Sequence, residues 1–69
     1  MARNYYQEID NALARYEHGG YRAHTMRWIT DRIEWCARFH KITGAQTDEL
    51  CERATAVMPF VEYSDLMRA

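Results

Sequence analysis

The chain has 69 residues, 48% of them hydrophobic and 13% aromatic, and nine Lys and Arg against ten Asp and Glu give a net charge of -1. This size allows one domain, residues 1–69, which buries only about 60% of its unfolded surface, and the composition excludes a disordered chain. The charge balance excludes a general attraction to nucleic acid, and no stretch approaches the ~20 apolar residues of a membrane span. Without the apolar core of a signal peptide near the N-terminus, we expect a cytoplasmic protein that does not enter the membrane.

The first predicted element is an amphipathic helix over about residues 3–17. Apolar residues recur there at steps of three and four, at Tyr5, Tyr6, Ile9, Ala12, Leu13 and Tyr16. Gly19 and Gly20 follow the last periodic residue, where glycine readily takes the left-handed conformation that ends a helix. The sequence therefore predicts a turn here and a second helix beyond it.

The second predicted helix, about residues 22–41, carries two apolar rows. One row holds Met26, Ile29, Ile33, Cys36 and His40, and the other holds Trp28, Trp35, Phe39 and Ile42. The rows lie roughly 120° apart around the helix and leave only a narrow polar strip. We expect this helix to be central in a bundle, with one neighbouring helix packed on each row.

The tryptophan row has two interpretations. In the first, the neighbouring helices cover it as ordinary core. In the second, so short a bundle leaves part of it open, because tryptophan is large, is seldom fully buried and is enriched at interfaces. Helix 1 has only one apolar face to give, so we predict an open part that binds a partner. The predicted surface combines aromatic residues with the arginines that border them, namely Trp28, Arg32, Trp35, Arg38 and Phe39.

The third predicted helix covers about residues 44–58 and begins with a capping box. Thr43 and Gln46 stand in the T-x-x-Q relation, in which each side chain bonds the backbone N–H of the other. Helical spacing predicts an inward stripe of Leu50, Cys51, Ala54, Val57 and Met58. Pro59 should end or kink this helix, and residues 59–69 form a tail of undetermined form. The expected fold class is all-α, a small three-helix bundle with a short C-terminal tail.

Helix 2 is also the basic part of the chain. Residues 22–41 hold five cations and two carboxylates, a net charge of +3, which leaves -4 for the remainder. A basic helix in a three-helix fold makes a small nucleic-acid-binding protein the alternative function. However, Arg27 with Asp31 and Glu34 with Arg38 are i, i+4 pairs that neutralise each other. Bulky tryptophans also do not suit a helix that enters a groove, so we expect protein binding rather than nucleic-acid binding.

Cys36 and Cys51 lie at similar distances from the predicted turn, so an antiparallel helix pair could bring them together. In a cytosolic chain we expect two buried free thiols, with a disulfide as the alternative. Zinc is a further interpretation, because Cys36 and His40 are one helical turn apart and Cys51 could add a third ligand. No fourth ligand stands at matching spacing, so we expect no metal, no cofactor and a core histidine at His40.

No residue pattern indicates catalysis. Ser64 is the only serine, and the chain has no glycine-rich phosphate loop. The acidic residues Asp48, Glu49 and Glu52 are predicted on the outer face of helix 3, and so small a bundle has no room for a substrate-sized cleft. We therefore expect a protein that is not an enzyme.

The segment RIEWCARFHKITGAQTDELCERA, residues 32–54, resembles an arrangement of helix, K-I-T-x-x-Q-x-x-E-L and helix. Small helical proteins encoded by phages and prophages of Gram-positive bacteria have this arrangement. The resemblance implies a phage or mobile-element product that binds and modulates, or inhibits, a host protein. No functional residue is carried over from it.

Together these observations predict a small non-enzymatic protein-interaction module whose protein partner is not identified by the sequence. Self-association into a homo-oligomer is the nearest form of that function. Pairing two copies of an apolar row would add to the small stability of a single chain.

Overall fold

The computed structural model describes residues 3–61. Within them the chain forms three α-helices, α1 (Tyr5–His18), α2 (Met26–Arg38) and α3 (Gly44–Val57), followed by a short 3₁₀ turn at Met58–Phe60. Each helix packs against the other two. The predicted all-α three-helix bundle is confirmed. Most of the predicted tail, residues 62–69, lies outside the described residues.

The core lies where the three helices meet. Its apolar members are at most 9% exposed. They come from all three helices and from the connection between α2 and α3: Ile9, Ala12, Leu13, Met26, Ile29, Ile33, Cys36, Ile42, Leu50 and Ala54. Fully burying one large aliphatic side chain contributes about 1.5–3 kcal/mol, so this small set supplies much of the stabilisation. The predicted inner face of α1 and the first four positions of the first α2 row are confirmed, with the three tyrosines of α1 packed at the edge of the core.

The turn after α1 is built on the predicted glycines. Gly19 has φ 91° and Gly20 has φ 112°, conformations that residues with a Cβ rarely adopt. The Gly19 N–H donates to the Arg15 carbonyl at 3.1 Å and so caps the last turn of the helix. The predicted stop is confirmed, one residue beyond the predicted end.

The N-terminus of α2 differs from the prediction. The helix begins at Met26 instead of residue 22, because Thr25 is the N-cap and its hydroxyl accepts a 3.1 Å hydrogen bond from the Trp28 N–H. An N-cap has a non-helical backbone, and Thr25 has φ -80° and ψ 163°. Arg22 therefore lies in the connection between α1 and α2 and not on the basic helix.

The C-terminus of α2 also comes earlier than predicted, at Arg38. Two hydrogen bonds form a Schellman turn there, from Lys41 N–H to the Cys36 carbonyl at 2.8 Å and from His40 N–H to the Ala37 carbonyl at 3.3 Å. His40 has φ 58° and takes the left-handed position that glycine usually occupies. His40 is exposed, so the expected core histidine is wrong.

The Schellman turn separates two residues that were predicted to share a row. Phe39 lies at the C-cap and is 53% exposed, whereas Ile42 lies beyond the reversal and is only 8% exposed. The chain has changed direction between them. Ile42 therefore completes the core, while Phe39 extends the aromatic side of α2.

The predicted capping box of α3 is confirmed. The Gln46 N–H donates to Thr43 Oγ1 at 3.0 Å, and the Thr43 N–H donates to Gln46 Oε1 at 2.9 Å. At the other end the helix stops at Val57, and Pro59 falls in the 3₁₀ turn. The predicted effect of the proline is confirmed as well.

The inward stripe of α3 is narrower than predicted. Only Leu50 and Ala54 are buried, Val57 and Met58 are half-buried, and Cys51 is exposed. Successive residues on a helix point about 100° apart, so Cys51 turns away from the line on which Leu50 meets the core. The expectation of two buried thiols is wrong for Cys51.

Candidate interaction surface

The tryptophans of α2 lie on a face roughly 120° around the helix from its most deeply buried row. Trp28, Arg32 and Trp35 follow each other at steps of four and three residues and so share one face of the helix. Phe39 continues that face past the helix end. We call these four residues the aromatic surface. The structure thus brings together four of the five residues predicted for partner binding.

The two tryptophans differ in exposure. Trp28 is half-buried and packs against the core, whereas Trp35 is 38% exposed. Together with Phe39 at 53%, Trp35 forms the open part of the row. The predicted partial exposure is therefore confirmed, and Trp35 is the more exposed indole.

Ring contacts hold the aromatic surface in place. The Trp35 ring centroid lies 5.1 Å from that of Phe39 and 5.9 Å from that of Tyr5 on α1, both at tilted angles. The His24 ring stacks on Trp28 at 3.7 Å with an interplanar angle of 12°. Contacts of this kind contribute about 0.5–1.5 kcal/mol each beyond burial, so they favour the observed positions of these rings.

Cations lie over these rings. The Arg32 guanidinium lies 5.2 Å from the Trp28 ring centroid and 5.5 Å from that of Trp35. The Lys41 ammonium lies 5.8 Å from the Tyr5 ring. Within residues 3–61 no carboxylate lies within ion-pair distance of Arg32 or Lys41. The surface therefore combines exposed rings with cations that form no ion pair with a carboxylate of the described residues.

Arg3 and Glu8 form an ion pair near the Tyr5 edge of the surface. The Arg3 guanidinium donates to both Glu8 oxygens, at 2.5 and 2.7 Å, and lies 4.8 Å from the Tyr5 ring. These hydrogen bonds from Arg3 hold the pKa of Glu8 below its ordinary value, and the positive charge of Arg32 adds to the effect. Glu8 therefore stays ionised at neutral pH, with Arg3 as its hydrogen-bonding partner and Arg32 acting on it at longer range.

Arg38, the fifth predicted residue, has a different environment. Its guanidinium donates to Glu34 at 3.0 Å, and both side chains are more than two-thirds exposed. A shallow depression joins it to Trp35. The Arg27–Asp31 pair, at 3.8 Å, is the other predicted i, i+4 pair and is likewise present. Arg38 borders the aromatic surface, but its charge is already paired.

A polar cluster that sequence reasoning missed joins α1 to α3. Arg53 donates two hydrogen bonds to Glu17, at 3.0 and 2.6 Å, and one to Asp10, at 2.6 Å. Glu49 contacts Arg53 at 3.3 Å and accepts a hydrogen bond from the Tyr6 hydroxyl. The partners of Arg53 on α1 are 36 and 43 residues away, so no local pattern links them. We call this group the Arg53 cluster.

The Arg53 cluster shifts two pKa values in opposite directions. Hydrogen bonds from Arg53 stabilise the Glu17 carboxylate and hold its pKa below the ordinary value. The hydrogen bond to Glu49 raises the pKa of Tyr6, because it stabilises the protonated phenol. Each shift has a structural partner as its main cause. The cluster therefore joins α1 to α3 through charge-assisted hydrogen bonds.

The cysteines do not form a metal site or a disulfide in the structure. Both are free; Cys36 is buried and Cys51 is exposed. Burial raises the pKa of the Cys36 thiol, which makes it a poor nucleophile at neutral pH. Among residues 3–61 no group of three His, Cys, Asp or Glu side chains is placed to hold a metal ion, so Cys36, His40 and Cys51 are not brought together as ligands.

Comparison of the chain with protein-family models, with curated proteins and with solved structures finds no match. Among the helices of residues 3–61, none combines the length and apolarity that crossing a membrane requires. The chemistry of the aromatic surface is therefore the basis on which a function can be assigned.

Proposed function

We propose that this protein is a non-enzymatic interaction module that binds a partner protein through the aromatic surface. One observation carries the proposal: Trp35 and Phe39 are exposed next to each other on the central helix, although the same chain buries its aliphatic residues efficiently. Trp and Arg are among the residue types that concentrate binding energy at interfaces. Contact between water and exposed rings of this size costs free energy, and covering the rings with a partner recovers it.

The order of the aromatic surface supports tight binding. Trp35 already contacts Tyr5 and Phe39, and Arg32 already lies over both indoles. Side chains that are fixed before binding lose little conformational entropy when the partner arrives. The positive charge of Arg32 and Lys41 favours a partner that places carboxylates around its own apolar anchor residues.

The resemblance of residues 32–54 to phage and prophage proteins gives this proposal its biological content. We propose a phage or mobile-element product that binds a host protein in the cytoplasm and modulates or inhibits it. The resemblance supports the class of protein, and the aromatic surface supports the mode of binding. Self-association through the same surface is the other form that the proposal takes.

A capture experiment with matched variants tests the proposed function. The wild-type chain, a Trp35→Ala/Phe39→Ala variant and a Tyr21→Ala control are immobilised and exposed to a lysate of a Gram-positive bacterium. Tyr21 is 82% exposed and lies outside the aromatic surface, so it controls for general stickiness of exposed rings. We expect one protein to be retained by the wild type and the control and lost by the double variant. Retention by all three chains would refute the proposed surface.

Two solution measurements accompany the capture. Circular dichroism melts should show that the double variant still unfolds cooperatively, because both substituted residues are exposed. Acrylamide should quench Trp35 more than Trp28, and equal shielding of both indoles would contradict the open surface. Sedimentation of the wild type and the double variant reports self-association, which the substitutions should abolish if copies pair through these rings.

Nucleic-acid binding is the alternative that the same experiments separate. Exposed rings with nearby cations also suit stacking of unpaired bases. However, the Arg27 and Arg38 charges are paired, and Arg22 lies before α2, so few free cations remain on the helix. Retention on single-stranded DNA or RNA that falls steeply with added salt would favour the alternative, because phosphate contacts release counterions.

A further inference from the structure

An apolar groove of about 690 Å³ lies between α2 and α3, on a different side of α2 from the aromatic surface. Its lining includes Ile33 and Ala37 from α2 and Cys51, Ala54 and Met58 from the α3 side. A volume of this size is within the usual range for ligand sites, ~300–1,000 Å³, so the expectation that the bundle has no room for a substrate-sized cleft is wrong. The groove uses no residue of the aromatic surface.

Three threonines line the groove without offering free hydroxyl donors. The hydroxyls of Thr30, Thr47 and Thr55 each donate to a backbone carbonyl earlier in the chain, at 3.1, 2.9 and 2.8 Å respectively. Their protons are therefore already used, and the methyl groups add apolar surface. The groove has little polar recognition to offer along its base, so it favours an apolar occupant.

The dimensions of the groove suit an α-helix. Its lining runs from Thr47 on α3 to Met58 at the start of the 3₁₀ turn, which at 1.5 Å per residue spans about 16 Å, or roughly three helical turns. The side chains at Ala37, Cys51 and Ala54 are small, so another helix can approach α2 and α3 closely. Helices pack at interaxial distances of about 8–10 Å when the contact residues allow it.

The α3 edge of the groove is negative. Asp48 and Glu52 do not line the groove itself but are exposed in an adjoining shallow depression that shares Cys51 and Thr55 with it. The two carboxylates stand in an i, i+4 relation, which is unfavourable for like charges by about 0.2–0.5 kcal/mol. In the described part of the chain neither carboxylate has an ion-pair partner. The α2 edge is neutral, because Glu34 and Arg38 pair with each other. A cationic occupant would relieve the repulsion, whereas an anionic one such as a fatty acid would increase it.

We infer that the groove between α2 and α3 binds an amphipathic helix of a partner protein, with its apolar face on Ile33, Ala54 and Met58 and its Lys or Arg side chains beside Asp48 and Glu52. The inference goes beyond the proposed function, because it assigns a second surface of opposite charge. With both surfaces in use, the chain joins two different protein segments. A helix-in-groove contact of this kind is read by apolar anchors at i, i+3, i+4 and i+7.

Titration with designed peptides tests the groove. The probe is a helical peptide of about 18 residues with leucine at i, i+3, i+4 and i+7 and lysine on both flanks, and the matched control replaces every lysine with glutamate. Backbone amide spectra of the full chain map where the probe binds. We expect shifts at Ala37, Ala54 and Thr55, at least roughly tenfold weaker binding of the glutamate peptide, and protection of the Cys51 thiol from alkylation.

Two variants make the test decisive. Asp48→Lys/Glu52→Lys should reverse the preference between the peptides, and Thr55→Trp, at an exposed position, should block the groove while leaving the fold intact. The Trp35→Ala/Phe39→Ala variant should bind the lysine peptide like the wild type, so failure of the groove and failure of the aromatic surface are distinguishable. The inference would be overturned by equal binding of both peptides or by spectral shifts confined to the aromatic surface. It would also be overturned if protection of the Cys51 thiol rose with protein concentration alone, which would identify a second copy of the chain as the occupant.

Discussion

Replacement of Arg53 with methionine should lower the free energy of unfolding, because it removes the cation that joins α1 to α3. The Arg53 side chain is only 24% exposed, and its partners Asp10 and Glu17 are 31% and 20% exposed. Hydrogen bonds to charged groups contribute about 1.5–3 kcal/mol, and exposed ion pairs only ~0.2–1 kcal/mol. For this partly buried arrangement we expect a loss of about 2 kcal/mol, against a total stability of roughly 3–10 kcal/mol for a chain of this length. The melting temperature should fall by roughly 10 °C.

The pH dependence of stability distinguishes this cause from lost packing. In the wild type Arg53 lowers the pKa of Glu17. The Glu17–Arg53 interaction therefore adds to the free energy of unfolding above the ordinary glutamate pKa of about 4.3, and this contribution is lost as pH falls through the lowered pKa of the folded state. In Arg53→Met the carboxylates of Asp10, Glu17 and Glu49 face one another without a cation. Their mutual repulsion destabilises the folded variant at neutral pH, and without Arg53 the main cause that lowers the pKa of Glu17 is gone, so the variant should lose less stability than the wild type as pH falls.

Urea denaturation between about pH 7 and pH 3, followed by circular dichroism, measures both effects. The stability difference between wild type and Arg53→Met should be largest near neutral pH and should shrink as pH falls. Arg27→Met is the matched control, because Arg27 is 52% exposed and 3.8 Å from its partner, and it should change stability by less than about 0.5 kcal/mol. A difference between wild type and Arg53→Met that stays constant across this pH range would refute the electrostatic account and assign the loss to packing.

Ile33→Ala should cost about 2–5 kcal/mol, because Ile33 is 3% exposed at the centre of α2, and a wild-type thermal melt would contradict the central position of this helix. In the native protein Cys51 should react with a thiol reagent within the time of mixing, whereas Cys36 should react only after denaturation, since it is buried and burial raises its pKa. Neither cysteine should need a reductant before it reacts. Mass spectrometry, which counts the added labels, checks the reaction of each thiol. If Cys36 reacted as fast as Cys51, the core would be shown to open readily. Thr43→Ala should lower stability by about 0.5–2 kcal/mol through loss of the capping box, with thermal melting as the measurement and an unchanged melt as the contrary result.

Local signals predicted the helices well where a single residue decides a boundary. The glycines after α1 and the Thr43–Gln46 capping box act within four residues of each other in sequence, so their effect can be read directly. The start of α2 at Thr25 is harder to predict, because residues 21–24 contain no glycine or proline that would stop a helix from beginning earlier. The signal that could have found it is a threonine directly before Met26, the first buried residue of α2.

Long-range contacts were the part that the sequence could not supply. Arg53 sits one position before the buried Ala54, and nothing near it on α3 indicates that two carboxylates of α1 converge on it. The exposure of Cys51 also could not be predicted, because α3 has few apolar residues and several helical faces fit their spacing equally well. Both depend on the angle at which α1 and α3 meet α2, which only the packed core determines.

The two rows of α2 explain why the same helix serves the core and the aromatic surface. Three helices meeting at one core give α2 two neighbours. On the tryptophan side α1 contributes the Tyr5 ring, whose centroid lies 5.9 Å from that of Trp35, and Trp35 remains 38% exposed. Full burial of Trp35 and Phe39 would need a further element, and the Schellman turn at His40 directs the chain toward the core instead. A partner that covered these rings would supply a further neighbour, and by binding only the folded chain it would stabilise the bundle to an extent set by its concentration relative to the Kd. A free partner concentration of 100 times the Kd would raise the free energy of unfolding by about 2.7 kcal/mol, which is comparable to the loss expected from removing Arg53.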